Sequence, residues 1–301
     1  MKRIALLGTL LAVGSLSMAA ATYQQPPAPA GPRVIDMLKL TDNLYVLTSS
    51  TPGNAATFSG GNVAVFITGS GVTLVDTKLA GWGQAVLDKV KSVTNKPVTA
   101  IINTHTHGDH TGNDGFFGAT VEIVAHENTK ANMEKMDAFK GDNSKFLPKK
   151  TFKDKLSLGS GTDRIDLYYF GAGHTSGDAF VVFPALRILH TGDMFAWKDG
   201  PLCDRNNGGS CVAFPQTLAK AIATVKNVDT IIAGHSPMLT PKDLQEYQRF
   251  TADLLAHAQA AMNAGQSVDE AAASFKVDTY PGYKNERVKG SIQAVYDELK
   301  K

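Results

Sequence analysis

Short apolar runs alternate with amphipathic stretches along most of the chain, and the two periods separate strands from helices. Residues 44–48 (Leu-Tyr-Val-Leu-Thr) read as a first strand. Residues 62–68 and Val72–Val75 read as strands joined by a hairpin at Gly69-Ser70-Gly71. Residues 82–93 carry Val86, Leu87, Val90 and Val93 at helical spacing, and the β-branched run Val98–Ile102 predicts a buried strand. A strand over 121–125 and a helix over 127–136 follow. Residues 152–158 and 164–170 alternate as half-buried strands, and 179–183 pairs with 187–190 across Pro184-Ala185-Leu186. A helix over 215–225 and a short strand at Thr230–Ala233 come next. Thr240-Pro241 opens a long helix with Leu244, Tyr247, Phe250, Leu254 and Leu255 along one side, and the tail from Val268 reads as helical.

Between these elements lie three stretches without periodicity. Residues 49–61 are rich in Gly, Ser, Pro and Asn, 138–150 carry four lysines, and 198–211 are rich in Gly and Asn. Strands come in two groups interleaved with helices, with no clear internal repeat. That arrangement predicts an α/β sandwich of sheets with flanking helices rather than a doubly wound sheet. No Gly-rich fingerprint follows the first strand, which counts against nucleotide binding.

The N-terminus has a different character. Lys2 and Arg3 precede an apolar run over 4–16, and Ala19-Ala20-Ala21 follows. The run is shorter than the roughly 20 residues of a membrane span, so residues 1–21 read as a secretory signal peptide; the rival reading is an uncleaved anchor. Residues 22–33 form a Pro-rich spacer, and 34–301 have the length of one large domain. The chain carries a formal charge of +2, and without Lys2 and Arg3 its 28 acidic residues are matched by as many basic ones. Nothing therefore points to nucleic acid, or to a membrane once the signal is removed. The expected compartment is the periplasm or the medium. Cys203 and Cys211 then favour a disulfide closing a small loop over a metal-binding pair. No feature sets an oligomeric state.

Chemistry concentrates in Thr104-His105-Thr106-His107-Gly108-Asp109-His110-Thr111-Gly112. Residues two apart in a strand point to the same side, so His105 and His107 converge on one point. Asp109 and His110 follow across a turn and face a second point. Three further candidates stand at predicted strand ends beside glycine: His174, Asp193 and His235. Imidazoles with carboxylates are a ligand set for zinc or a similar ion. Seven ligands are too many for one tetrahedral zinc and fit two ions with one carboxylate between them. The absence of cysteine near the cluster favours catalysis over a closed structural site.

His105-Thr106-His107-Gly108-Asp109-His110 resembles the His-x-His-x-Asp-His motif of the metallo-β-lactamase superfamily, and His174, Asp193 and His235 match its later ligand positions in order. Asp76 in Val75-Asp76-Thr77 resembles the aspartate that the family places near the end of an early strand. The resemblance covers residues 44–235 and implies a four-layer αββα sandwich with a dinuclear site at one edge. By the same resemblance His105, His107 and His174 hold one ion, Asp109, His110 and His235 the other, and Asp193 bridges. Two Zn2+ are expected, with iron or manganese not excluded by the ligand types. Asp109 orients a metal-bound hydroxide, and Asp76 fixes ligand geometry through hydrogen bonds.

The bridging Asp193 makes the set more similar to glyoxalase II and lactonases than to the zinc β-lactamases, which usually carry another residue there. Against glyoxalase II, Gly234-His235-Ser236 lacks the glutamate usual after that histidine. The expectation is an exported hydrolase that opens an ester, lactone, thioester or lactam of a small molecule. The alternatives are a metallo-β-lactamase proper, or an iron-dependent oxidoreductase like the persulfide dioxygenases of the same fold. A binding protein with an inactive site is a third class, against which the complete ligand set argues. His126 is expected at a helix N-terminus, His190 packed, His257 on a helix without function, and Asp178 in a turn. Residues 199–210, with the backbone donors of Asn206-Asn207-Gly208-Gly209-Ser210, are expected to face substrate, as is the loop 49–61 with Phe58.

Overall fold

A computed structural model describes residues 35–48 and 58–300. The signal peptide, the whole spacer and most of the loop 49–61 lie outside the described residues. Among the described residues no helix is long and apolar enough to cross a membrane.

The elements in chain order are β1 (Met37–Lys39), β2 (Leu44–Leu47), β3 (Val63–Ile67), β4 (Val72–Val75), α1 (Gly83–Lys91), β5 (Val98–Ile102), α2 (Gly108–Thr111), β6 (Glu122–His126) and α3 (Glu127–Met133). Then come β7 (Lys150–Phe152), β8 (Lys155–Leu158), β9 (Ile165–Tyr168), β10 (Phe180–Phe183), β11 (Ile188–Gly192), α4 (Phe214–Thr224), β12 (Thr230–Ala233), α5 (Pro241–Asn263), α6 (Val268–Ser274) and α7 (Val288–Leu299). β1 to β7 form a 7-stranded sheet in sequential order, and β12-β11-β10-β9-β8 form a 5-stranded one. Pairing is parallel at β4–β5, β5–β6, β6–β7 and β11–β12, and antiparallel elsewhere.

Side-chain alternation divides each central strand between two apolar clusters. Val63, Val65, Leu74, Ile101 and Ile123 pack outward against Trp82, Val86 and Val90 of the α1 region. Their neighbours Ala64, Phe66, Val75, Ile102 and Val124 face inward, against Leu167, Val181, Phe183, Ile188 and Ile232 of the second sheet. The second sheet's other face, with Phe180, Val182, Leu189 and Ile231, is covered by α4, α5 and α7 through Leu218, Tyr247, Phe250, Leu254, Ile292 and Val295. Three apolar interfaces make four layers, the expected αββα sandwich. Strands buried on both faces must be apolar throughout, which is why they read as continuous runs.

Two details differ from the pattern. The stretch 152–158 is not one strand: β7 ends one sheet and β8 starts the other. Phe152, Leu156 and Leu158 all face the same inner core, so the period passes through the crossing without a break. β1 was not legible, because its residues lie half-buried or exposed at a sheet edge. In the tail, α6 and α7 are joined through a short 3-10 helix at Val277–Thr279, and α7 completes the outer apolar layer. Capping boxes at Thr240–Asp243 and Ser267–Glu270 start α5 and α6.

Phe66, fully buried, meets Phe183 edge to face at 5.0 Å across the inner core. Replacing it by alanine removes a ring that both sheets enclose. Phe66→Ala is expected to lower the unfolding free energy by about 3–5 kcal/mol, read from the shift of a urea denaturation midpoint.

Candidate metal centre

The chemistry-bearing residues gather where parallel strands end. β5 leads directly into His105 and His107, and the short α2 carries Asp109 and His110. Asp193 follows β11, His235 follows β12, and His174 lies in the connection between β9 and β10. All seven expected residues come together. Ligand atoms of His105, His107 and His174 lie within 4.8 Å of one another, as do those of Asp109, His110 and His235, and those of His105, His110 and Asp193. Asp193 spans the two halves, with Oδ2 3.6 Å from His174 Nε2 and 3.4 Å from His235 Nε2, and Oδ1 3.3 Å from His110 Nε2.

Outer hydrogen bonds fix which nitrogen of His105, His107, His110 and His174 faces inward. The carbonyl of Leu202 only accepts, so His174 Nδ1 donates to it at 2.7 Å and leaves its Nε2 lone pair inward. His107 Nε2 donates to Asp204 Oδ2 at 2.7 Å, which leaves Nδ1 inward. Thr104 Oγ1 donates to Asp76 Oδ2, so it accepts from His105 Nδ1 at 3.0 Å and leaves that Nε2 inward. His110 Nδ1 donates to Asp76 Oδ2 at 2.7 Å, again leaving Nε2 inward. These tautomers are assigned from the partners.

The inward nitrogens then converge on one another. His174 Nε2 is 2.9 Å from His107 Nδ1. His105 Nε2 and Asp193 Oδ1 are buried without a hydrogen-bond partner. Burial holds the His105 imidazole well below its ordinary pKa and that of His174 down to about 4, so both rings are neutral. Burial also opposes a charge on His110 and His235. There the carboxylates outweigh it: Asp109, Asp193 and Asp76 raise His110, and Asp193 and Asp109 raise His235. A buried group of lone pairs and carboxylates that retains protons in this way has the donor chemistry of a cation site. The residues present fit metal ions.

Asp76 earns its position structurally. Its backbone is left-handed at φ 66°, and the carboxylate accepts from Thr104 N and Oγ1 at 2.8 Å each and from His110 Nδ1. Glycine permits the closest approaches: a Cβ on Gly234 would overlap Asp193 Oδ1, and one on Gly61 would overlap the His110 ring.

His126 caps α3 by accepting from Asn128 N at 3.2 Å. His190 is buried, bonded to Asn62 O and Gly192 N. His257 on α5 contacts Ala271 O at 2.8 Å, and Asp178 accepts from Thr175 N and Oγ1 within a turn. Cys203 and Cys211 are joined in a disulfide. The expected substrate-facing donors of residues 206–210 are otherwise engaged. Asn206 N and Asn207 N donate to Asp204 Oδ1, Gly208 N to Arg205 O, Gly209 N to Asp204 O and Ser210 N to Gly173 O. Phe58 does stand at the centre, its ring 5.7 Å from His235, with Trp197 at 5.5 Å.

Sequence reading missed four groups beneath or beside the cluster. Thr104 and Asp204 act through the outer nitrogens above, and nothing in the sequence marks an acceptor 97 positions from His107. Lys78 is fully buried in a left-handed conformation, φ 69°, and donates to Thr48 O at 2.9 Å. Burial pushes its ammonium down to about 7, against the pull of Asp109 and Asp76. Asp114 is buried, accepting from Thr77 Oγ1 at 2.8 Å and Asn103 Nδ2 at 3.2 Å, with Oδ2 unpartnered. Burial pushes its carboxyl up to about 8.

The family model described as "Metallo-beta-lactamase superfamily" matches residues 56–235. A metallo-beta-lactamase type 2 of Elizabethkingia meningoseptica is 28% identical over 207 residues, covering 65% of this chain and 77% of its own. A metallo-beta-lactamase type 2 of Bacteroides fragilis is 24% identical over 203 residues, covering 67% and 79%. Among solved structures, a metallo-beta-lactamase from Pontibacter korlensis aligns with TM-score 0.62 at 20% identity, over 73% of this chain and 99% of that one. The DIM-1 metallo-beta-lactamase aligns with TM-score 0.60 at 19% identity, over 72% and 97%. These two likenesses are of fold.

Asp76→Ala removes the acceptor that orients His110 and Thr104. It is expected to weaken metal binding about 10–100-fold, measured by chelator competition, with the far-ultraviolet circular dichroism unchanged. Asp114 binds its proton more tightly folded than unfolded, so it stabilises the fold least when pH exceeds about 8. Asp114→Asn should therefore gain stability relative to wild type as pH rises from roughly 4 to 8, read as the difference between the two denaturation curves at each pH.

Proposed function

Because this chain belongs to the metallo-β-lactamase superfamily and is a metal-dependent hydrolase, we propose that it is an exported, dinuclear zinc enzyme that opens a carbonyl bond of a small molecule. The single observation that carries the reading is the inward convergence of the lone pairs onto two positions that share Asp193. His105, His107 and His174 would hold one ion, Asp109, His110 and His235 the other. When bound, two such ions lower the pKa of water toward 7 and polarise a carbonyl oxygen.

The chain's own residues supply orientation. Asp109 and His107 are the open members of the cluster, with side chains 24% and 23% exposed, while His105, His110 and His174 are buried. Substrate therefore approaches over Asp109 and His107. Burial would raise the Asp109 carboxyl, but His110 and His235 hold it down to about 2. It stays ionised at neutral pH and can orient an attacking water by accepting its hydrogen bond. Phe58 and Trp197 flank His235, so an apolar flank on the substrate suits that side. The Cys203–Cys211 disulfide supports export to an oxidising compartment.

Esters, lactones, thioesters and lactams all fit this chemistry. The relatives reported above are named metallo-β-lactamases, which makes β-lactams a necessary arm of any screen, while Asp193 suits the bridged set expected from sequence. No comparison favours the iron-dependent oxidoreductase alternative. Hydrolysis of at least one of these carbonyl classes by the zinc-loaded protein is the expected result. His107→Ala and Asp109→Ala should each lower kcat by at least about a hundredfold. Full activity after exhaustive chelation would refute the reading.

A further inference from the structure

The loop closed by the disulfide touches only one half of the cluster. Leu202 O accepts from His174 Nδ1 and Asp204 Oδ2 accepts from His107 Nε2. These two contacts flank Cys203. No outer partner of His105 or His110 comes from this loop, since Thr104 and Asp76 serve those rings.

The loop is built to hold Asp204 still. One carboxylate oxygen accepts from Asn206 N at 3.0 Å and Asn207 N at 3.3 Å. The other accepts from Asn207 Nδ2 at 2.6 Å as well as from His107. Asp204 N donates to His174 O at 2.8 Å and Gly209 N to Asp204 O at 2.7 Å. A Cβ on Gly209 would overlap His174 O, so the loop lies flat against the histidine backbone. The disulfide closes this turn, with Cα atoms 5.5 Å apart over a separation of 8 residues.

Helix α7 clamps the loop from outside. Glu298 accepts from Ser210 Oγ and from Val212 N, and Ser291 Oγ donates to Pro201 O at 2.8 Å. Both cysteines are buried in the apolar layer that α7 completes. The C-terminal helix, the disulfide and Asp204 therefore form one continuous support behind His107 and His174.

We propose that the disulfide-closed loop, with Asp204 as its positioning residue, sets the affinity of the His105–His107–His174 position alone, so that loosening it yields a protein with one tight metal position and one weak one. The inference rests on the dinuclear reading above. Without the bridge, Leu202 O and Asp204 are free to move, and the two rings lose the partners that fix tautomer and direction. Loss of such outer partners typically costs 10–100-fold in metal affinity.

The test is stepwise zinc binding by the purified protein in competition with a chromophoric chelator, with Co2+ spectra to resolve the two positions. Wild type should bind two ions per chain; binding of one or none would overturn the dinuclear reading itself. Given two, Asp204→Ala should weaken one step 10–100-fold and leave the other unchanged. Asp204→Asn, which keeps an acceptor, should restore much of the loss. Cys203→Ala/Cys211→Ala should weaken the same step by at least as much, because it frees both contacts. Unchanged affinities at both steps, or equal weakening of both, would overturn the inference. If the double cysteine variant does not fold, the Asp204 pair decides, since it leaves the bridge in place.

Discussion

The centre depends on one constraint: several imidazole nitrogens must point at one another in a largely buried space. His105, His107, His110 and His174 are each held in that pose by an acceptor on the outer side. Leu202 O, Asp204, Thr104 and Asp76 together decide which nitrogens face inward. Without a cation the arrangement is unfavourable, as the unpartnered His105 Nε2 and Asp193 Oδ1 show. The fold must therefore supply the energy that holds the cluster ready, and it does so through buried hydrogen bonds and the apolar layers on either side.

The layered sandwich is what brings the acceptors together. Parallel strands β4 and β5 deliver Asp76 and the His105–His110 segment to one sheet edge, while β11 and β12 deliver Asp193 and His235 from the other sheet. Rigid, doubly buried strands fix these ends more tightly than surface loops would.

Charge is managed beneath the cluster as well as in it. Asp76 is buried between Thr104 and His110, Asp114 retains its proton, and Lys78 has its ammonium weakened by burial. These groups sit at the ends of β4 and around α2, where close backbone approach leaves little room for water. An ionised carboxylate at Asp114 would add negative charge next to Asp76, and burial prevents it.

Much of this was legible in the residue order. Continuous apolar runs such as Val63–Ile67 specify strands because doubly buried strands exclude polar side chains. The ligand types and their glycine neighbours specify a metal site because few other functions need that set. The sequence also placed His126, His190, His257 and Asp178 outside the cluster. It did not separate β7 from β8, since Phe152, Leu156 and Leu158 keep one phase toward one shared core. Nor did it reveal Asp204, Thr104, Lys78 or Asp114, or that the amides of residues 206–210 are spent inside their own loop. Local periodicity and residue chemistry are properties of neighbours along the chain, so sequence alone determined the layers and the donors. Which acceptor stands behind which ring depends on segments brought together only by packing, so the tertiary structure alone decided how the donors are aimed.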